Sequence, residues 1–325
     1  ALTEEVLELI GDRYADHPGT LEGSSLPATA EDAETLWSWA RQECLPHFGP
    51  YEDAMSQRSS GLFHTRISPL LNIQRLQAQR VVDEVAHDAT LPLSCREGFV
   101  RQILGWREFV RHVHERTDGF RDLPLGPAAR SDDANDARPN ALSAQSPLPP
   151  TLWGAAPSGL DCLDGVVDDV WREGWSHHIT RLMVLGNLAT LLDVAPRELT
   201  DWFWVAYIDA FDWVVEPNVL AMASFGVGEL MTTKPYVSGA AYLNRMGDAC
   251  KGCAFDPKTD CPVTPLYWDF LARKAEFLEG NPRVAMPLRS LAKRTDAQRA
   301  RDARVAHEVR TRLSAGQRLT PGDLS

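Results

Sequence analysis

Apolar residues recur at three- and four-residue steps along most of this chain, and the strict alternation of β-strands is scarce. Leu2, Val6, Leu9 and Ile10 share one face and predict a helix from Leu2 to Tyr14. A second helix is expected from about Ala30 to Leu45, opened by Glu31, Asp32 and Glu34, whose charge suits the positive end of a helix. Trp37 and Trp39 stand two apart, on different faces, so one of them should reach the surface. Phe99, Ile103, Trp106 and Val110 stripe a helix over 97–111. Ahead of it, Ser68 is placed as an N-cap with Pro69 as the first helical residue, a start whose free N–H groups could seat a phosphate. Beyond Leu160 the pattern is almost continuously helical, at about 161–175, 177–192, 197–213 and 217–225. The fold class is therefore all-α, read as one domain over 1–325 with no internal repeat. Between Arg121 and Pro150 the pattern lapses: six prolines and the polar run Ser131–Asp136 predict a flexible loop over 121–152.

Composition narrows the function classes. The 325 residues can bury a large core, and 44% hydrophobic with 24% charged residues is ordinary for a globular protein. No apolar run approaches the roughly 18 residues needed to cross a bilayer, and the acidic start lacks the pattern of a signal peptide. The expected location is the cytoplasm, without membrane contact. A net charge of −12 argues against a general nucleic-acid binder. Yet ten Lys/Arg against three acids lie between Arg283 and Arg318, so 292–325 is expected to be a basic C-terminal helix and tail. A solvated helix accounts for that run, with a local basic face as the alternative.

The residues that promise chemistry cluster late in the chain. Cys250, Cys253 and Cys261 are spaced for zinc or an iron–sulfur cluster, and spacing leaves the metal and the fourth ligand open among Cys44, Cys95 and Cys162. His177 and His178 are adjacent at the head of a helix, where imidazole is suited to proton transfer near neutral pH. Arg107 beside the 97–111 stripe needs a carboxylate partner if it is buried. The tryptophans near 202–213 are either core or part of a redox path.

Taken together, several blocks resemble the FAD-binding half of the cryptochrome/photolyase family, nearest to its iron–sulfur bacterial branch with the prokaryotic (6-4) photolyases. They are Gly105-Trp106-Arg107-Glu108-Phe109, His177-His178-Ile179 through Gly186-Asn187, Tyr207 through Trp213, Lys234-Pro235-Tyr236, Tyr242 through Met246, and Leu266 through Phe270. The resemblance runs from about Tyr14 to Leu291. It implies a helical domain around FAD and a 4Fe–4S cluster on Cys162, Cys250, Cys253 and Cys261. It further implies cofactor contacts from His64, Thr65, Ile67, Ser68, Gln102, Trp106, Arg107, Arg181, Asn187, Asp212 and Asn218, with Arg107 paired to Asp212 beside the flavin. His177, His178 and Tyr236 match the lesion site, and His178 matches the proton donor. Trp202 is the expected inner member of an electron relay and Trp153 the outer one. Phe203 stands where some relatives carry a redox-active tyrosine. The family's N-terminal α/β antenna domain has no counterpart in this sequence. The implied function is light-driven repair of (6-4) photoproducts in UV-damaged DNA by a monomer, with a separate antenna domain or protein as a further partner. Its rivals are a blue-light receptor without repair activity and a light-independent flavoprotein of the same fold.

Overall fold

A computed structural model describes residues 2–19, 23, 26–120, 122–123 and 139–324. Helices make up the described regular structure, with one isolated parallel bridge between Ser146 and Val194, so the expected all-α class holds. The first helix covers Leu2–Tyr14, as its apolar spacing predicts. The second runs Ala30–Trp39 behind a Thr29–Asp32 capping box and continues as a wide-turned π segment, Ala40–Cys44. Trp37 is buried in it and Trp39 is exposed.

Two large cores and a small one follow from the apolar stripes. Ala33, Trp37, Leu45, Phe48, Leu70, Val81, Val85, Phe99 and Ile103 form the N-terminal core. Leu163, Val167, Leu188, Trp202, Phe203, Phe255, Leu266, Phe270, Val305 and Val309 belong to the C-terminal one. Val110, Val113, Met222 and Met231 join the helix Trp106–Arg116 to the segment Glu216–Ala223 in the third. The basic run resolves into the helix Asp296–Ser314, whose Val305, Ala306, Val309 and Leu313 are buried. Several arginines of the run are engaged within the chain: Arg294, just before the helix, pairs with Asp302, Arg310 with Asp269, and Arg312 with Glu308 and Asp323.

Three expectations change here. The helix expected over 197–213 ends at Ala206, because Tyr207 turns extended and the Ile208 N–H donates to the Gly174 carbonyl at 2.9 Å. The chain restarts as Asp212–Val215, and the turn between carries Asp209 inward. Ser68 is not an N-cap: the short helix is Ser68–Asn72 after Ile67, and the Ser68 hydroxyl donates to Asp209 at 2.7 Å instead. The loop expected over 121–152 lies largely outside the described residues. Its described end is packed rather than flexible, since Leu142, Leu148 and Leu152 are buried and the Ser146 N–H donates to the Asp193 carbonyl.

Candidate functional site

Two glycines allow the site to form. At Gly186 a Cβ would stand 2.9 Å from that of Ala223, so only glycine lets the π segments Arg181–Gly186 and Glu216–Ala223 close on each other. Gly174 has a φ of +59°, and a Cβ there would lie 2.7 Å from Ile208; it ends the helix Asp161–Glu173 and frees the chain to reach Trp175 and the histidines. Opposite them lies the loop Gly61–Ser68, in which Leu62, Phe63 and Arg66 all have positive φ. Non-glycine residues in that region hold strain that the surroundings must enforce, a feature common at binding sites. The grip is visible: Arg66 pairs with Glu173 at 2.6 Å and lies over the Trp175 ring at 4.8 Å.

That loop delivers His64 against the histidine pair. The His64 and His177 rings stack at 4.4 Å, and ligand nitrogens of His64, His177 and His178 lie within 4.8 Å of one another. His64 Nδ1 faces the Gly61 carbonyl at 2.8 Å and the Leu62 carbonyl at 3.2 Å, so it carries the proton. Its Nε2 is then an acceptor, buried and without a partner among the described residues, and His177 Nδ1 is likewise buried without one. Burial and the neighbouring His178 push the His64 pKa down to about 4; burial, His64, His178 and Arg181 push that of His177 down to about 2. His178 is the accessible member. Its Nε2 lies 3.5 Å from Asp53, whose carboxyl is held below its usual range chiefly by that contact.

These shifts give acid sensitivity. As pH falls through 6.5 the unfolded chain protonates His64 and His177 while the folded one resists, so the unfolded state binds more protons and stability drops. Each imidazole should cost about 2–3 kcal/mol between pH 7 and 4.5, at about 1.4 kcal/mol per pKa unit. Urea unfolding at the two pH values measures the loss, and His64→Gln should flatten it. An equally steep loss in that variant would show that other groups set the dependence.

Arg181 and Asp209 form the electrostatic centre. The guanidinium donates to both carboxylate oxygens at 3.0 and 2.9 Å and to the Ser176 carbonyl at 2.7 Å, and it lies 4.2 Å above the Tyr207 ring. Asp209, which sequence reasoning missed, is buried and also accepts from Ser68, while Asn72 donates to its backbone carbonyl. Its signal was available: an acid inside the otherwise apolar run from Phe203 to Phe211.

The expected Arg107–Asp212 pair is not formed. Asp212 is exposed at the start of its short helix, whereas Arg107 donates to the Ile103 carbonyl and stacks on Trp213 at 5.0 Å. Burial alone lowers the Arg107 pKa, as expected of a guanidinium without a carboxylate partner. It lines a cavity of about 410 Å³ with Asn72, Gln74 and Val110. A second cavity, of about 340 Å³, runs from Ser60, His177 and Thr180 to Cys162 and Cys250.

The remaining expected residues fall around this centre. Thr65 and Ile67 are buried on the strained loop, and Gln102 donates to Glu52. Asn187 is fully buried with its amide tied to Ser238, which steadies the segment carrying Tyr236. Asn218 donates to the Val214 carbonyl at 2.7 Å, and Trp106 meets Phe109 edge-on. Trp202 is buried and Trp153 exposed.

Cys162, at the start of Asp161–Glu173, faces Cys250, Cys253 and Cys261 from the 249–261 loop; all four are free. Burial, then the neighbouring thiols, drives the Cys162 pKa up, and burial pushes Cys261 to about 12. Thiols held protonated, as Cys162 and Cys261 are, give up their protons only to a cation that replaces them. Cys44 and Cys95 are buried elsewhere, Cys95 against the Pro46 carbonyl.

Residues 99–246 match the model of the FAD-binding domain of DNA photolyase. The chain is 33% identical over 322 residues to a (6-4) photolyase of Agrobacterium fabrum, covering 97% of this chain and 59% of that protein. An uncharacterized protein of Acanthamoeba polyphaga mimivirus is 28% identical over 102 residues, covering 31% of this chain and 80% of that one. In fold, the chain is similar to a bacterial class III photolyase from Agrobacterium tumefaciens, with a TM-score of 0.53 at 13% identity over 87% of this chain and 56% of that one. The chain thus spans under two thirds of the length of the two Agrobacterium photolyases, and no described helix is long and apolar enough to cross a membrane. In the FAD-binding-domain match over residues 99–246, in its relatives and in its helical fold, the chain is similar to the photolyase family.

Proposed function

We propose that this chain repairs pyrimidine (6-4) photoproducts in UV-damaged DNA under light. The observation that carries the reading is the arrangement of His178, accessible and paired with Asp53, beside the buried His177 and the Arg181–Asp209 pair. The (6-4) activity of the Agrobacterium relative supports the lesion class. FAD fits the residues present: His64 Nε2 and His177 Nδ1 are buried ring nitrogens without partners, and Arg107 is a cavity-lining cation without a carboxylate among the described residues. His64, Thr65, Ile67 and Ser68 would hold it from the strained loop, with Gln102, Trp106, Arg107, Arg181, Asn187 and Asn218 around it and Asp209 in the place first given to Asp212. When bound and reduced, FAD supplies one electron to the lesion in light and recovers it after repair.

The protein's own part is acid–base and positional. His178 donates a proton to the photoproduct and regains it, Asp53 orients the imidazole, and His177 stays neutral against it. Tyr236 closes the lesion pocket on the segment that Asn187 holds. A damaged dinucleotide is poorly stacked, so flipping it out costs only a few kcal/mol and favours lesions over intact DNA. A monomer is the proposed working unit, with any antenna a separate accessory.

The family resemblance assigns a 4Fe–4S cluster to these four cysteines, and thiolates are the ligands such a cluster takes. Such a cluster would tie the helix Asp161–Glu173 to the helix Val263–Arg273, and cysteines without disulfides suit a reducing cytoplasm.

The test is an absorption spectrum of anaerobically purified protein, then illumination with a reductant and an oligonucleotide holding one (6-4) lesion. Flavin and cluster bands with light-dependent restoration of the pyrimidines support the reading. Both bands without repair favour a light receptor, and turnover in darkness favours a light-independent flavoprotein.

A further inference from the structure

Three imidazoles meet at the head of the cavity, and two of them are buried with a ring nitrogen that binds nothing. One ring nitrogen from each of His64, His177 and His178 lies within 4.8 Å of the other two. His64 Nε2 and His177 Nδ1 are buried and without a partner among the described residues. The free nitrogen of His64 is fixed by the other one: Nδ1 faces the Gly61 and Leu62 carbonyls at 2.8 and 3.2 Å, so the lone pair sits on Nε2. The strained loop is what holds it there, since Leu62, Phe63 and Arg66 around it all have positive φ.

An oxygen donor completes the group. Asp53 lies 3.5 Å from His178 Nε2. Two ligands of a tetrahedral ion, on bonds of about 2.0–2.1 Å, stand roughly 3.3 Å apart, so this spacing already suits a shared ion. The His64 and His177 rings are stacked, 17° from parallel at 4.4 Å, and one of them must turn before both lone pairs converge. His64 is pinned through Nδ1. His177 is the ring free to turn, because its Nδ1 has no bond to break and it lines the cavity of about 340 Å³. His178 is half-exposed and can follow.

We propose that His64, His177 and His178, with Asp53 as the oxygen donor, bind a divalent transition metal of the zinc class. Imidazole nitrogens with one carboxylate suit zinc and its neighbours, whereas magnesium and calcium take oxygen shells. Binding itself needs only these four side chains. Its consequence rests on the repair reading above: the ion takes the nitrogens that border the flavin and the imidazole that gives the proton. Metal and flavin therefore exclude one another, and the metal switches repair off.

Equilibrium dialysis of the full chain, freed of flavin, against zinc chloride provides the test, with bound zinc counted per chain. Bound zinc should show nitrogen and oxygen neighbours at about 2.0–2.1 Å in its X-ray absorption spectrum. His64→Gln and His178→Gln should each weaken that binding by more than about tenfold. His87→Gln should bind as wild type, since that exposed ring caps another helix with its Nδ1 on the Asp83 carbonyl. If His64→Gln folds poorly, the surface variant His178→Gln carries the comparison. Zinc with sulfur neighbours alone, at about 2.3 Å, belongs to the cysteines and overturns the proposal, as does equal affinity in every variant. Flavin added back should release the zinc. Zinc that stays on the histidines beside bound flavin overturns the exclusion and leaves the site. A chain that binds zinc there and takes up no flavin keeps the site and overturns the flavin reading.

Discussion

Asp209→Ala is expected to destabilise the protein by about 3–5 kcal/mol, the usual cost of removing one partner from a buried ion pair, and to leave it without flavin. The carboxylate is 4% exposed and accepts from three donors, Arg181 Nη1, Arg181 Nη2 and the Ser68 hydroxyl. Its loss leaves the Arg181 guanidinium, packed over Tyr207, without its charge partner. It also cuts Ser68 and the strained 61–68 loop from the turn at Tyr207–Phe211. Asp209→Asn keeps the shape and some hydrogen bonds, so it should fall between the alanine variant and wild type. The contrast is Asp212→Ala: that side chain is exposed, and its removal should change stability by no more than about 0.5 kcal/mol. Chemical denaturation and the flavin absorbance per chain decide the matter. Equal effects at the two positions would remove Asp209 from the centre of the site.

The contrast between Asp209 and Asp212 shows where sequence reasoning reaches its limit. Helical spacing located the elements well because each buries one stripe, as Phe99, Ile103 and Val110 do. Spacing cannot report where a helix opens, because the break at Tyr207 depends on a hydrogen bond from Ile208 to Gly174, more than thirty residues earlier. Once the helix over 197–213 is taken as continuous, Asp209 is only one more position on it. The break turns it inward to Arg181 and leaves Asp212 outside. Ser68 was misread for a related reason: a serine before proline suits an N-cap, but here Ile67 precedes the helix and the Ser68 hydroxyl is turned to donate to the buried Asp209 carboxylate.

The four cysteines and the histidine pair were legible because their chemistry depends on residue type. Cys162 needed the family resemblance, since 88 residues separate it from Cys250. His64 was expected to contact a cofactor, yet its stack on His177 could be found only in three dimensions. Asp53 carried no signal at all, because an exposed acid is common. The wide π turns at 101–105, 181–186 and 216–223 are equally silent in sequence, and each shifts the register of the residues after it.

His178→Ala should abolish repair of (6-4) lesions and leave flavin bound. General acids of this kind contribute about 10²–10⁴-fold, and the neighbours offer no replacement. His177 is 2% exposed and its pKa lies near 2, and that of His64 lies near 4, so neither holds a proton to give at neutral pH. Asp53 is ionised and can only accept. Flavin should remain because Arg181, Asp209 and the 61–68 loop are untouched, and because the half-exposed His178 ring bears little of the core. Asp53→Asn should lower repair less, since it weakens the orientation of the imidazole without removing the acid. Lesion repair per absorbed photon, measured beside flavin content and lesion affinity, separates the contributions. If His178→Ala repairs at the wild-type yield, the proton comes from elsewhere. If the yield falls only because the lesion no longer binds, His178 acts in recognition rather than proton transfer.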